Sequence, residues 1–313
     1  MPAVRALAKE ASLRRLDEHG HRNYTGAFDK ADMLRRLEEA FADWPTTPPD
    51  VAPIPDTIET AAPGLYRIEK DVNQGRVSLG LPMVKRDHPD VYALEVMNDI
   101  LGGSGFTSRI TTTVRSNEGL AYSAGSGISF GVWYPGRFRA SFQSKSPTVA
   151  WATELVLEEI RKIREGGVTA EELATAQASL IETFPSNFNS KARAMAIFAS
   201  DEYTGRAPDY WKTYRDRIRA VTTEDVQRVA RTHILPGKMI VLVVGDQAAI
   251  DRGDAAVGEP LVAKLEHVDA GVDQPGDRPQ QRRLPAAARP DERQQFVLAE
   301  RETDAGECLH IAE

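Results

Sequence analysis

Apolar positions along the chain follow two rhythms. Across residues 30–42, Met33, Leu34, Leu37 and Phe41 recur at helical spacing, and Asp29 ahead of them offers a carboxylate to the orphan amides of a first turn. Residues 76–84 (RVSLGLPMV) change to the two-residue rhythm of a strand. Asp87, His88, Pro89 and Asp90 then open a helix whose stripe is Val91, Leu94, Met97 and Leu101, and Gly102 with Gly103 is expected to end it as a left-handed cap. Residues 120–130 and 136–144 read as two strands turning at Tyr134, Pro135 and Gly136, hence an antiparallel pair.

Helical patterns fill the rest. One starts at Ser146 and Pro147 and runs to about Glu165. Thr169 with Glu172 makes a capping box for the next, because each side chain can reach the other's backbone amide. Further helices fit 190–204, 208–220 and 223–233, and the all-apolar run 239–244 (MIVLVV) reads as a buried strand. The pattern predicts an α+β fold, a largely antiparallel sheet covered by helices, over residues 64–250. Residues 45–63 carry six prolines, which fix φ and remove donors, so this stretch reads as an extended linker. Residues 251–313 are rich in Asp, Gln, Arg, Pro and Ala and read as a largely disordered tail, since they bury too little to offset chain entropy.

Composition narrows the function. Lys and Arg number 39 against 46 Asp and Glu, a net charge of −7, which argues against a nucleic-acid partner needing clustered cations. No run of about 18 apolar residues exists, so no membrane span is expected, and the first residues show no apolar secretory core. A single cysteine, Cys308, excludes an internal disulfide framework. Neither His19 and His21 nor any other pair among His88, His233, His267 and His310 stands one helical turn apart with a Glu between, so all six read as surface histidines and no zinc site is expected within this chain. Ser104 sits in a near match to a nucleophile elbow, but a helix precedes it where a strand is required. The plain reading of this glycine run is a turn; the sharper one is that its glycines admit another backbone. Arg115 and Tyr122 form a third constellation, a guanidinium and a phenol able to hold a peptide carbonyl, although from chemistry alone two such residues seven apart are ordinary surface side chains.

At this point a resemblance enters. The runs 101–109 (LGGSGFTSR), 114–115 (VR) and 118–123 (EGLAYS) strongly resemble the second homologous half of the pitrilysin/insulinase-type zinc metallopeptidases, which include the mitochondrial processing peptidases. Residues 72–75, 92–100, 221–230, Pro236 and 244–246 add to the likeness, and 26–29 with 43–45 resemble the end of the family's first half. The resemblance implies two homologous α+β halves enclosing a chamber. The first half would carry H-x-x-E-H and hold Zn2+; residues 1–44 would be the remnant of its end, so zinc is expected in a partner half or subunit and not here. Arg115 and Tyr122 match the substrate-holding pair: Tyr122 would stabilise the oxyanion and Arg115 would orient the peptide backbone. Gly102, Gly103, Ser104, Gly105 and Phe106 would form a loop near the interface of the halves. The alternatives are a structural or assembly subunit of the same fold and a truncated remnant.

Overall fold

This computed structural model of the 313-residue chain describes residues 29–42 and 60–257. The expectations for 1–28, for most of the proline-rich linker and for the tail past 257 lie outside the described residues. Helix α1 (Lys30–Phe41) begins where the pattern puts it, and Asp29 accepts from the Asp32 amide at 2.8 Å.

The rest is built on a sheet of five strands in the order β1-β5-β2-β4-β3. Strands β2 (Gln74–Pro82), β4 (Arg137–Lys145) and β3 (Ala121–Ser129) pair antiparallel, and β5 (Ile240–Gly245) pairs antiparallel with β2. Strand β1 (Gly64–Glu69) is absent from the sequence reading. It lies parallel to β5, with Leu65 opposite Val241 and Arg67 opposite Val243. Its six residues are too few to show a rhythm of their own, and the partner that orders it is far away in sequence.

Two-residue alternation gives the sheet unlike faces. Val77 and Leu79 of β2, Phe138 and Ala140 of β4, and Val241 and Val243 of β5 are almost wholly buried. They meet α2 (Val91–Asn98), α4 (Val149–Glu165), α8 (Thr223–His233) and α9 (Gln247–Val257), whose Leu94, Met97, Ile160, Val229 and Ile250 complete one core. Helix α9 thus carries regular structure a little past residue 250, where the sequence reading starts its tail. Arg76, Pro82, Arg137, Arg139 and Lys145 alternate with the core residues and are exposed. Among the described residues, helices α2, α4, α8 and α9 therefore cover one face of the sheet and leave the strand positions of the other exposed or half-buried. In an outer layer of α5 (Ala170–Thr183), α6 (Lys191–Thr204) and α7 (Tyr210–Arg219), Tyr210 of α7 stacks on Tyr92 of α2, and Tyr214 stacks on Phe184 at the end of α5. The capping box at Thr169 and Glu172 forms as expected.

The end of α2 corrects the sequence reading. Gly102 and Gly103 are not a left-handed cap. The helix widens into a π turn, Asp99–Gly103, and the left-handed residue is Gly105, with φ 62°. Gly102 is instead a point of backbone approach, the sharper reading of the run. A Cβ there would stand 2.3 Å from the Ser126 amide nitrogen and 2.9 Å from the Gly125 carbonyl carbon, both on β3. Ser126 adds a hydrogen bond to Asn98 Oδ1 at 2.8 Å.

Gly102→Ala is therefore expected to cost about 1–3 kcal/mol by forcing β3 away from the helix. Chemical denaturation of the purified chain measures this. Gly127→Ala on the same strand serves as the comparison, since a Cβ there meets nothing within 4 Å. A loss at Gly102 below about 0.5 kcal/mol counts against the close approach.

Candidate functional site

The π turn and the glycine run lead into a turn, Gly105–Thr107, and then α3 (Arg109–Thr111), which continues as a second π turn, Thr112–Asn117. Isolated π turns reposition the side chains that follow them. This short helix is braced on two sides. Arg109 grips Glu172 with two parallel hydrogen bonds, 2.6 and 2.8 Å, and Glu172 also accepts the Thr169 amide. Thr111 Oγ1 donates to the Ala124 carbonyl at 2.8 Å in a buried contact. The Arg109 guanidinium holds the Glu172 carboxyl below the usual carboxylate range.

The bracing sets the position of Arg115. Its guanidinium carbon lies 4.3 Å from the centre of the Phe106 ring and 5.0 Å from that of Tyr122. Each contact of this kind contributes about 0.5–1 kcal/mol at an exposed site. Tyr122 is 87% exposed and Phe106 69% exposed. A bulge explains the tyrosine: Ala121 faces Ser144 and Ala124 faces Phe142, so one extra residue of β3 stands between them. The inserted residue breaks the alternation and turns Tyr122 and Ser123 outward together. Arg115, Tyr122 and Phe106, taken from two separate motifs, thus form one exposed cluster. The pairing of Phe106 with Arg115 had no signal in the sequence, because it depends on two consecutive irregular turns.

From Ser123 a groove of about 430 Å³ runs along Ala124 to Ser129 and reaches Arg137, Arg139 and Ser141 of β4. The open sheet face is basic. It carries Arg76, Arg137, Arg139 and Lys145, and among the described strand positions it holds no carboxylate. Arg139 donates to Ser78 Oγ and Arg76 to Gln143 Oε1 across the ladder, which lays both side chains flat on the sheet. The sequence reading missed this face, although alternate cations in both strands announce it.

Ser104 is no nucleophile. Its hydroxyl donates to the Asp99 carbonyl at 2.9 Å and meets Thr107 Oγ1 at 3.0 Å, with no imidazole among its described hydrogen-bond partners. Beneath it Asp99 is 9% exposed, and its Oδ2 has no hydrogen-bond partner. Burial pushes the Asp99 carboxyl up to about 6, against a hydrogen bond with Ser179.

A scan against family models matches residues 24–180 to the peptidase M16 inactive domain. The chain belongs to this family. An uncharacterized zinc protease of Mycobacterium tuberculosis is 29% identical over 187 residues, covering 59% of this chain and 41% of that protein. A non-peptidase homolog of Helicobacter pylori is 26% identical over 166 residues, covering 52% of this chain and 38% of that one. The chain thus spans about two-fifths of the curated relatives it matches. A solved M16 inactive domain from Pseudomonas fluorescens superposes with a TM-score of 0.62 at 25% identity, over 70% of this chain and 52% of that one.

M16 relatives called zinc proteases raise the question of whether the cluster here can hold zinc. It does not fit: Phe106, Arg115, Tyr122, Ser104 and Thr107 offer no imidazole and no carboxylate. The chemistry available is hydrogen-bond donation, from a phenol and a planar guanidinium, to oxygen atoms of a ligand. No described helix is long and apolar enough to cross a membrane.

The buried Asp99 gives a pH dependence. Its folded pKa lies above the unfolded value, so the folded chain holds the proton more tightly, and stability falls as pH rises from about 4 through 6. Asp99→Asn removes that titration. The variant's stability relative to the parent is expected to grow across this window, by on the order of 1–3 kcal/mol. Urea unfolding at pH 4.5 and 7 tests it; an identical difference at both pH values defeats the prediction.

Proposed function

We propose that this chain is the substrate-binding, non-zinc half of a metalloendopeptidase, acting with a zinc-bearing homologous half or partner subunit. The observation that carries the reading is the exposed cluster in which Arg115 lies between Phe106 and Tyr122. Two large rings left in water beside an oriented cation suit a ligand or a second protein surface. Tyr122 donates its phenol hydrogen to the oxyanion that forms as a peptide carbonyl is attacked. Arg115 offers paired donors to the carbonyls flanking that bond, and its own ring contacts keep the guanidinium from swinging away. The partner's zinc supplies the activated water. The open face of the sheet, with its basic groove, lines the space between the two halves.

A second reading has its own support. The Helicobacter pylori relative is called a non-peptidase homolog, so an assembly subunit of the same fold is the alternative.

The test is the tagged chain, purified with its associated partner and assayed on quenched fluorescent peptides. Tyr122→Phe is expected to lower kcat about tenfold or more, and Arg115→Ala to lower kcat/KM by at least as much, with circular dichroism unchanged. Unchanged kinetics in both variants, or an assembled complex with no peptidase activity, defeats the first reading, and the second outcome favours an assembly role.

A further inference from the structure

We infer that His88, Asp90 and His233 form a binding site for a transition-metal ion of the zinc, cobalt or nickel type, at the end of α2 remote from the Arg115 cluster. The site is independent of the function proposed above. From Asp90 to Gly102 the helix spans roughly 18 Å, at about 1.5 Å per residue, so the two sites are separate.

Sequence reasoning placed all six histidines on the surface, and His233 corrects it. The His233 side chain is only 14% exposed and the Asp90 side chain 13%, while His88 at 38% forms the open side. Asp90 is the N-cap residue of α2, yet its side chain makes no capping hydrogen bond. A cap aspartate ordinarily accepts from its own helix. This one turns to α8 instead: Oδ1 accepts from Arg228 at 2.8 Å, and Oδ2 lies 2.8 Å from His233 Nε2. His88 Nδ1 stands 3.9 Å from the same Oδ2, and one ligand atom from each of the three residues lies within 4.8 Å of the others. Zinc bonds of about 2.0–2.1 Å place tetrahedral ligand atoms about 3.4 Å apart. The two separations from Oδ2 fall on either side of that value, so small shifts bring both to it.

Both imidazoles turn a ring nitrogen toward Asp90. His88 Nδ1 accepts a hydrogen bond from the Asp90 amide at 3.1 Å. Metal binding at this nitrogen exchanges that backbone hydrogen bond for a metal bond, since the ring nitrogen has one lone pair. His233 Nε2 faces Asp90 Oδ2, and a metal ion between them takes the place of their hydrogen bond, the imidazole carrying its one hydrogen on the other ring nitrogen. The frame is rigid: Pro89 fixes the backbone between the first two ligands, and the His88 amide and carbonyl are both hydrogen-bonded, to Lys85 and Val91. Arg228 orients the carboxylate through its other oxygen, as outer partners of metal ligands do. Its positive charge disfavours hard cations that bind by charge alone, such as Mg2+ or Ca2+, and two imidazoles favour a borderline metal. Three protein ligands leave a position open to water.

The experiment uses Zn2+ and Co2+ themselves on the full, metal-stripped chain. Calorimetry is expected to show one saturable equivalent, and Co2+ to give visible bands of a low-coordinate nitrogen–oxygen site. Zinc should raise the unfolding temperature. His88→Ala, a substitution on the open side that leaves the fold intact, and His233→Ala should each weaken binding by about tenfold or more. Absence of saturable binding overturns the site. So does undiminished affinity in both variants, which would put the ion on other histidines. If His233→Ala unfolds, His88→Ala alone decides the question.

Discussion

Much of this structure depends on two backbones touching. Gly102 at the end of α2 lies against Gly125 and Ser126 of β3 at distances no side chain allows. That contact fixes where the helix stops relative to the sheet. The π turn of Asp99–Gly103, the left-handed turn at Gly105 and the short helix carrying Arg115 all follow from it. The strand side is fixed as well, because β3 must carry its bulge between Ala121 and Ala124 to keep Gly125 at the helix and Tyr122 in solvent. One glycine contact thus brings Phe106, Arg115 and Tyr122 within ring distance.

The sheet shows the same economy on a larger scale. Among the described residues, helices pack on one face, and the other presents Arg76, Arg137, Arg139 and Lys145, two of the arginines lying along the ladder. A half-covered antiparallel sheet is stable with one face in water. It is also a surface able to meet a second domain without rearrangement. In this chain the free face is cationic while the whole chain is acidic.

Local physics made much of this legible in advance. The stripe Val91, Leu94, Met97 and Leu101 is wholly inside, and the Thr169–Glu172 box formed as its spacing implied. Arg115 and Tyr122 stood out only through family resemblance, because seven residues of separation says nothing about a bulge that lifts one ring beside the other. Strand β1 was invisible because its order comes from β5, and the Gly102 cap was misplaced because a π turn has no composition of its own. His88, Asp90 and His233 escaped notice for a related reason: metal spacing is sought within one helix, and here α8 brings the third residue from across the domain.

Strand β5 has a consequence for how the chain is made. It sits between β1 and β2, with Gly64 opposite Ile240 and Arg76 opposite Val244, yet it is the last strand of the sheet to be synthesised. Until residues 240–245 leave the ribosome, β1 has no neighbour among the described strands, and the Val77 edge of β2 is bare. The nascent domain must hold an unfilled slot in its sheet and accept a strand from its far end. Such long-range closure is slow, and exposed strand edges invite pairing with other chains meanwhile. The most apolar strand, IVLVVG, is also the one whose late arrival spares the growing chain from carrying it unpaired.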